Sequence, residues 1–212
     1  MKFYNDIFDR ISPEKKERIL KVATEEFSQY GYSGTNVNII AEKLELSVGS
    51  LYKYFNTKED FFLTVINSCV AMLENVLGDV LNSDIDFFGK IERILVIIQA
   101  HSRENPHVIN LYNELTTEGN IKLADRVSLQ LETISAECYR ALIDQAQSDG
   151  IIDNSINSSI YAFCLDNLFL TLQFSYATAY YKNRMKIYTG VFYDNDELMI
   201  NEIMKFIRKA FS

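Results

Sequence analysis

Apolar residues fall into helical register early in the chain. Ile19, Val22, Ala23, Phe27 and Tyr30 lie three or four positions apart, a spacing that gathers side chains on one face of a helix. Ser12 followed by Pro13 marks the start: serine caps the first turn, and proline at the first helical position loses no hydrogen bond. Gly31 marks the stop, since glycine takes the left-handed C-cap conformation without a Cβ clash. A second, short helix follows, with Thr35 as its cap and Val37, Ile40, Ala41 and Leu44 as its inner positions, and Leu44-Glu45-Leu46-Ser47 breaks it. Ser47 caps a third helix, Val48 to Tyr54. Thr57 caps a fourth, unbroken from Lys58 to about Leu81, with Glu59 and Asp60 where the helix dipole favours acids.

Further breaks fall near Asn82-Ser83-Asp84, Glu104-Asn105-Pro106, Gly119-Asn120, Asp149-Gly150 and residues 189–196. They leave five more helical stretches, about nine helices in total. No run alternates polar and apolar long enough for a strand, so the predicted class is all-α. Short helices before Phe55 and long ones after it divide the chain into two modules, residues 1–57 and 58–212. The fourth helix joins them without a flexible linker, and a rigid joint transmits movement.

Composition narrows the function. Eight glycines and two prolines among 212 residues, 48% of them hydrophobic, suit long helices around a real core. The net charge of −8 opposes broad attraction to a polyanion. Residues 1–60 hold nine Lys/Arg against ten Asp/Glu, the rest twelve against nineteen. Nucleic-acid contact would therefore rest on a few well-placed cations in the first module. Cys69, Cys138 and Cys164 form no CxxC pair and read as small buried hydrophobes in a reducing cytoplasm. The most apolar stretch, residues 160–181, is interrupted by Asp166, Asn167 and Gln173 and reads as a buried helix, not a membrane span. The N-terminus lacks the apolar core of a signal peptide. His101 and His107, separated by Pro106, make no zinc pattern with Glu104 or Glu114, so neither metal nor cofactor is expected. Nothing resembles a nucleophile elbow, a phosphate-binding glycine loop or paired catalytic carboxylates, and no enzymatic activity is expected.

The second and third helices, with their short connection, have the form of a helix-turn-helix, whose second helix enters the major groove. Gly31-Tyr32, Thr35, Ile40-Ala41, Ser47, Gly49, Leu51-Tyr52, Phe55 and Lys58-Glu59 follow in fixed order. This segment, about residues 12–66, resembles the signature of the TetR family of transcriptional regulators. Gly49 removes a side chain where the recognition helix would approach DNA. Leu51 and Phe55, four apart, would pack under Ile19, Phe27 and Ile40. Tyr52, Lys53 and Tyr54 could reach phosphates, and Thr35 and Lys58 sit at helix N-termini, which attract phosphate. The resemblance implies that Val48 and Ser50 face base edges, Val48 suiting a thymine methyl; Asn36 and Ser47 complete the expected DNA-binding set. The chain departs from the family in two places. Glu45 stands where the turn usually has glycine, costing on the order of 1 kcal/mol in a left-handed conformation. Asn36 stands where Thr or Ser usually follows the capping threonine.

In the second module, residues 156–182 are apolar on nearly every face, so that helix must bury more than one side. With residues 196–212 it resembles the family's dimer-forming four-helix bundle; an intramolecular core is the alternative. Phe87, Phe88, Tyr112, Tyr139 and Phe174 are candidates to line an effector cavity, with Asn110, Glu114 and Asn167 as polar contacts. The resemblance implies a homodimer that binds palindromic operator DNA as a repressor and is released by a small apolar or amphipathic effector. The alternative is a helical scaffold of the same type acting mainly through protein–protein contacts.

Overall fold

The computed structural model describes the backbone of residues 2–115 and 121–211, and the side chains of 2–113 and 132–211. The described residues are all-helical: α1 (Asp6–Asp9), α2 (Pro13–Gly34), α3 (Val37–Lys43), α4 (Val48–Tyr54), α5 (Lys58–Leu81), α6 (Phe87–Glu104), α7 (Pro106–Leu115), α8 (Ile121–Ser148), α9 (Ser158–Ala177), α10 (Ala179–Thr189) and α11 (Asp196–Ala210). A 3-10 segment, Gly190–Asp194, links the last two. The expected nine become eleven because α1 and α10 escaped the periodicity. Four residues are too few to show a period, and the Tyr/Lys-rich α10 buries only Met185.

Starts follow the capping logic. The Ser12, Ser47 and Thr57 side chains accept from the amides of Lys15, Ser50 and Asp60. One cap moves. Asn36, not Thr35, caps α3, its side chain accepting from the Asn38 amide. Thr35 ends α2 instead: its hydroxyl lies 2.7 Å from the Gly31 carbonyl and 3.1 Å from that of Glu26, and donates to them. Gly31 has φ 67°, as a left-handed stop requires, and one more helical turn follows it before Thr35.

Two cores organise the chain. The first gathers Phe8, Ile19, Phe27, Ile40, Leu51 and Phe55 with the N-terminal half of α5, from Phe61 to Val70, and reaches Leu111 of α7. Phe55 stacks on Phe61 with centroids 4.2 Å apart. The second is built from α6, α8, α9 and α11 around Ile91, Leu95, Ile143, Phe169 and Tyr176. By length and apolarity α5 could cross a membrane, yet its buried residues divide between these two cores. It is the beam that both modules share. The second connection is α7, which packs along α2, with a hydrogen bond between Ser28 and His107 at 3.1 Å. Burial pushes the Cys69 and Cys138 thiols up to about 11. The expectation of three buried thiols needs correction, since Cys69 and Cys138 are half-buried and Cys164 is exposed on α9.

Candidate nucleic-acid interface and effector cavity

The turn between α3 and α4 is closed by backbone bonds from Leu46 N–H to Ala41 and from Glu45 N–H to Glu42. Glu45 takes φ 58°, the left-handed conformation anticipated from the sequence. Its side chain is exposed, as are Asn36, Ser47, Gly49, Tyr52 and Lys53. Leu51 and Phe55 are buried beneath them, so α4 lies on the head with its opposite face free. A Cβ at Gly49 would meet only the Ser47 hydroxyl, at 4.0 Å. Ser50 is half-buried, its hydroxyl 2.8 Å from that of Ser47. Val48 is half-buried against the head core, which limits how much of it could meet a base.

Two expected contacts need correction. Thr35 is buried, and both its hydroxyl and its amide bond within the protein, so its role is to fix the α2–α3 junction. Tyr54 is only 7% exposed, and its ring packs 5.7 Å from Phe8. The covering element is α1, whose Phe8 also meets Phe55 at 5.0 Å. Just before α1, Asn5 donates its amide to the Tyr54 carbonyl at 2.8 Å and its side chain to the Lys53 carbonyl at 3.1 Å. It thereby closes the open end of α4. The sequence signal was present in Asn5 as a cap and Phe8 as an anchor, but too brief to stand out. Lys58 is partly occupied already, donating to the Ser33 carbonyl at 3.2 Å with its ammonium 5.1 Å from the Tyr32 ring centre. Burial lowers its pKa.

A further finding is Glu26, buried in the head and paired with the half-exposed Lys43 at the end of α3. Position 26 lies three residues after Ala23 and beside Phe27 on the inner face of α2, but nothing in the sequence assigns its charge a partner. The pair ties α3 to α2 beneath the turn.

In the body, α5, α6, α7, α8 and α9 enclose a cavity of about 160 Å³, walled mainly by aliphatic and aromatic side chains. Tyr112 and Tyr139 line it as expected. Among the described residues, the other named candidates do not. Phe87 is buried against Phe211, with centroids 6.0 Å apart, and Phe88 lies under the Arg208 guanidinium. Phe174 sits behind the wall, 6.0 Å from the Tyr112 ring, and Asn110 is half-buried outside the lining. Asn167 is exposed, bonding the Phe163 carbonyl at 2.7 Å. The Glu114 side chain falls outside the described residues. Pattern reading chose bulky aromatics, whereas the wall is largely aliphatic and includes Met72, Leu73, Val76 and Leu77 of α5. Its polar members include Asp166 and Glu132, and the latter accepts from the Tyr112 hydroxyl at 2.6 Å.

The expected dimer stretches also divide on inspection. Phe174 faces inward, but Phe163 on α9 is 67% exposed and Phe206 on α11 is 64% exposed. Ile160 and Leu198 on the same two helices are exposed as well, as are Tyr180, Ile187 and Tyr188 of α10. At their meeting end, Tyr161 stacks on Phe211 at 4.4 Å.

Residues 19–65 match the family model described as bacterial regulatory proteins, tetR family. YhgD of Bacillus subtilis, an uncharacterised HTH-type transcriptional regulator, is 20% identical over 166 residues, covering 78% of this chain and 86% of that protein. A TetR family transcriptional regulator from Chloroflexus aurantiacus superposes with TM-score 0.67 at 21% identity, covering 98% of both chains. FadR from Bacillus subtilis, solved in complex with stearoyl-CoA, gives TM-score 0.70 at 14% identity, covering 92% of this chain and 99% of that one. Residues 19–65 thus carry the sequence pattern of the tetR family of bacterial regulatory proteins, and the chain as a whole shares the fold of a solved TetR family transcriptional regulator.

Proposed function

We propose that the chain is a homodimeric repressor that binds palindromic operator DNA and is released by a small effector. In this reading residues 1–57 form the reading head and residues 58–212 the effector-binding and dimerisation body, acting in the cytoplasm. The carrying observation is the outward face of α4, where a first-turn glycine without an internal packing partner stands beside exposed Tyr52 and Lys53. A glycine there lets backbone approach a groove wall closely, and the tyrosine and lysine are placed for phosphates. The exposed apolar faces of α9 and α11 support dimerisation, because so much apolar surface is unusual on a monomer.

The cavity supports release. Its wall includes Ile66 of α5 and Leu111 of α7, both of which also belong to the head core. An effector that prefers one setting of these helices shifts the head, and one with equal affinity for both settings shifts nothing. Two helices, not α5 alone, can carry the movement.

The exposed carboxylate of Glu45 beside α4 favours a second reading, a scaffold acting through protein contacts. Selection of bound fragments from the source organism's own DNA, followed by gel shift, separates the two. Retarded fragments support the repressor reading; absence of any retained fragment supports the scaffold.

A further inference from the structure

We infer that the body cavity selects a lipophilic cation, such as an alkyl or aryl ammonium, held by Asp166 and Glu132 within an aromatic and aliphatic wall. This deepens the effector reading above and rests on it for regulatory meaning.

Among the described residues the lining holds two carboxylates, Asp166 and Glu132, and neither lysine nor arginine. Burial, with Glu132 adding to it, pushes the Asp166 carboxyl up to about 6. Its charge is thus poorly solvated and meets no compensating cation among the described lining residues. An ammonium brought alongside would supply one, and each charge would offset the other's desolvation. The Tyr112 hydroxyl fixes one oxygen of Glu132 at 2.6 Å, so that carboxylate is oriented before any ligand arrives. Tyr139 and Phe169, edge to face at 5.4 Å, add ring surface that attracts cations.

A second, independent observation points to a ligand. Ser102 lines the cavity and is fully buried, yet its hydroxyl has no hydrogen-bond partner, and the buried Nε2 of His101 beside it has none either. Buried polar atoms are rarely left unsatisfied, and each costs about 1–3 kcal/mol. A polar ligand atom would satisfy them. Conversely, an acyl chain ending in a carboxylate or phosphate would set like charges together beside the half-buried Asp166. Likeness of fold to a regulator solved with stearoyl-CoA therefore does not carry over to ligand charge.

The test uses three probes of matched chain length on the full protein without DNA, decylammonium, decanol and decanoate, each followed by isothermal calorimetry. The expected order is the cation tightest, with decanoate at least about tenfold weaker, a difference of about 1.4 kcal/mol. In the Asp166→Asn/Glu132→Gln variant the cation should fall to the level of decanol. Decanoate binding as tightly as the cation, an unchanged preference in the variant, or binding of none of the three overturns the inference. If the double variant does not fold, the order of the three probes on the unaltered chain decides alone. A gel shift with the tightest probe is read separately. Operator release by decanoate alone would keep the regulator reading and sink the cation. Cation binding that leaves the DNA complex intact would keep the cavity assignment and sink effector release.

Discussion

A methyl group at position 49 would meet only the Ser47 hydroxyl, 4.0 Å away, so nothing inside the fold requires glycine there. Glycine costs up to about 1 kcal/mol relative to alanine in a helix interior, and part of that in a first turn such as Gly49 occupies. Gly49→Ala should therefore raise thermal stability, and Gly49→Leu should leave folding intact while weakening DNA binding at least about tenfold, a loss of about 1.4 kcal/mol. Equal operator affinity for the leucine variant and the unaltered chain would show that α4 does not approach a groove. At Asp166 the folded pKa is raised from 3.8 to about 6, mainly by burial. The folded state then binds more protons than the unfolded one between these values, so this group's contribution to stability falls as pH rises through them. Asp166→Asn should raise the melting temperature at pH 7.5 and give little gain near pH 4. A gain of equal size at both pH values would contradict a burial penalty on the charged form.

At the scale of elements, capping signals were the most legible part of the sequence. Ser12, Ser47 and Thr57 are local hydrogen-bond acceptors, and their effect needs no knowledge of tertiary structure. The left-handed turn at Glu45 was legible only through the family resemblance, which has glycine at that place. What escaped were properties set by distant neighbours. Tyr54 read as an outward phosphate contact because α1, which covers it, is too short to show a period. Phe174 and Phe163 lie on one apolar helix and have similar chemistry, and only packing shows that the first faces inward and the second outward. That distinction changes the dimer test. Phe163→Asp or Phe206→Asp should yield monomers by light scattering without loss of helicity, whereas Phe174→Asp should destabilise the fold. An unchanged dimer mass in both of the outward variants would exclude α9 and α11 as the interface.

For the whole molecule, the sequence predicts one connection through α5, and the structure adds a second through α7. This helix lines the cavity with Val108, Ile109, Leu111 and Tyr112 while lying along α2. Its role was illegible because helix packing partners are non-local, and only Pro106 announced its start. Coupling through both helices should weaken DNA binding roughly 5–150-fold on effector binding, about 1–3 kcal/mol. Linkage requires operator DNA to weaken effector binding by the same factor, and calorimetry with and without operator checks it. Identical effector affinities would end the coupling account while leaving DNA recognition standing.

Recognition itself makes a geometric demand. Two copies of α4 related by a two-fold axis must meet major grooves facing the same side of the duplex, roughly 34–36 Å apart or a multiple of it. Footprinting on a fragment selected from the organism's DNA reads this directly. The account requires two inverted half-sites at that spacing, protected together by the unaltered chain and lost together in the Gly49→Leu variant. A single asymmetric site, or protection unaffected by that substitution, would contradict it.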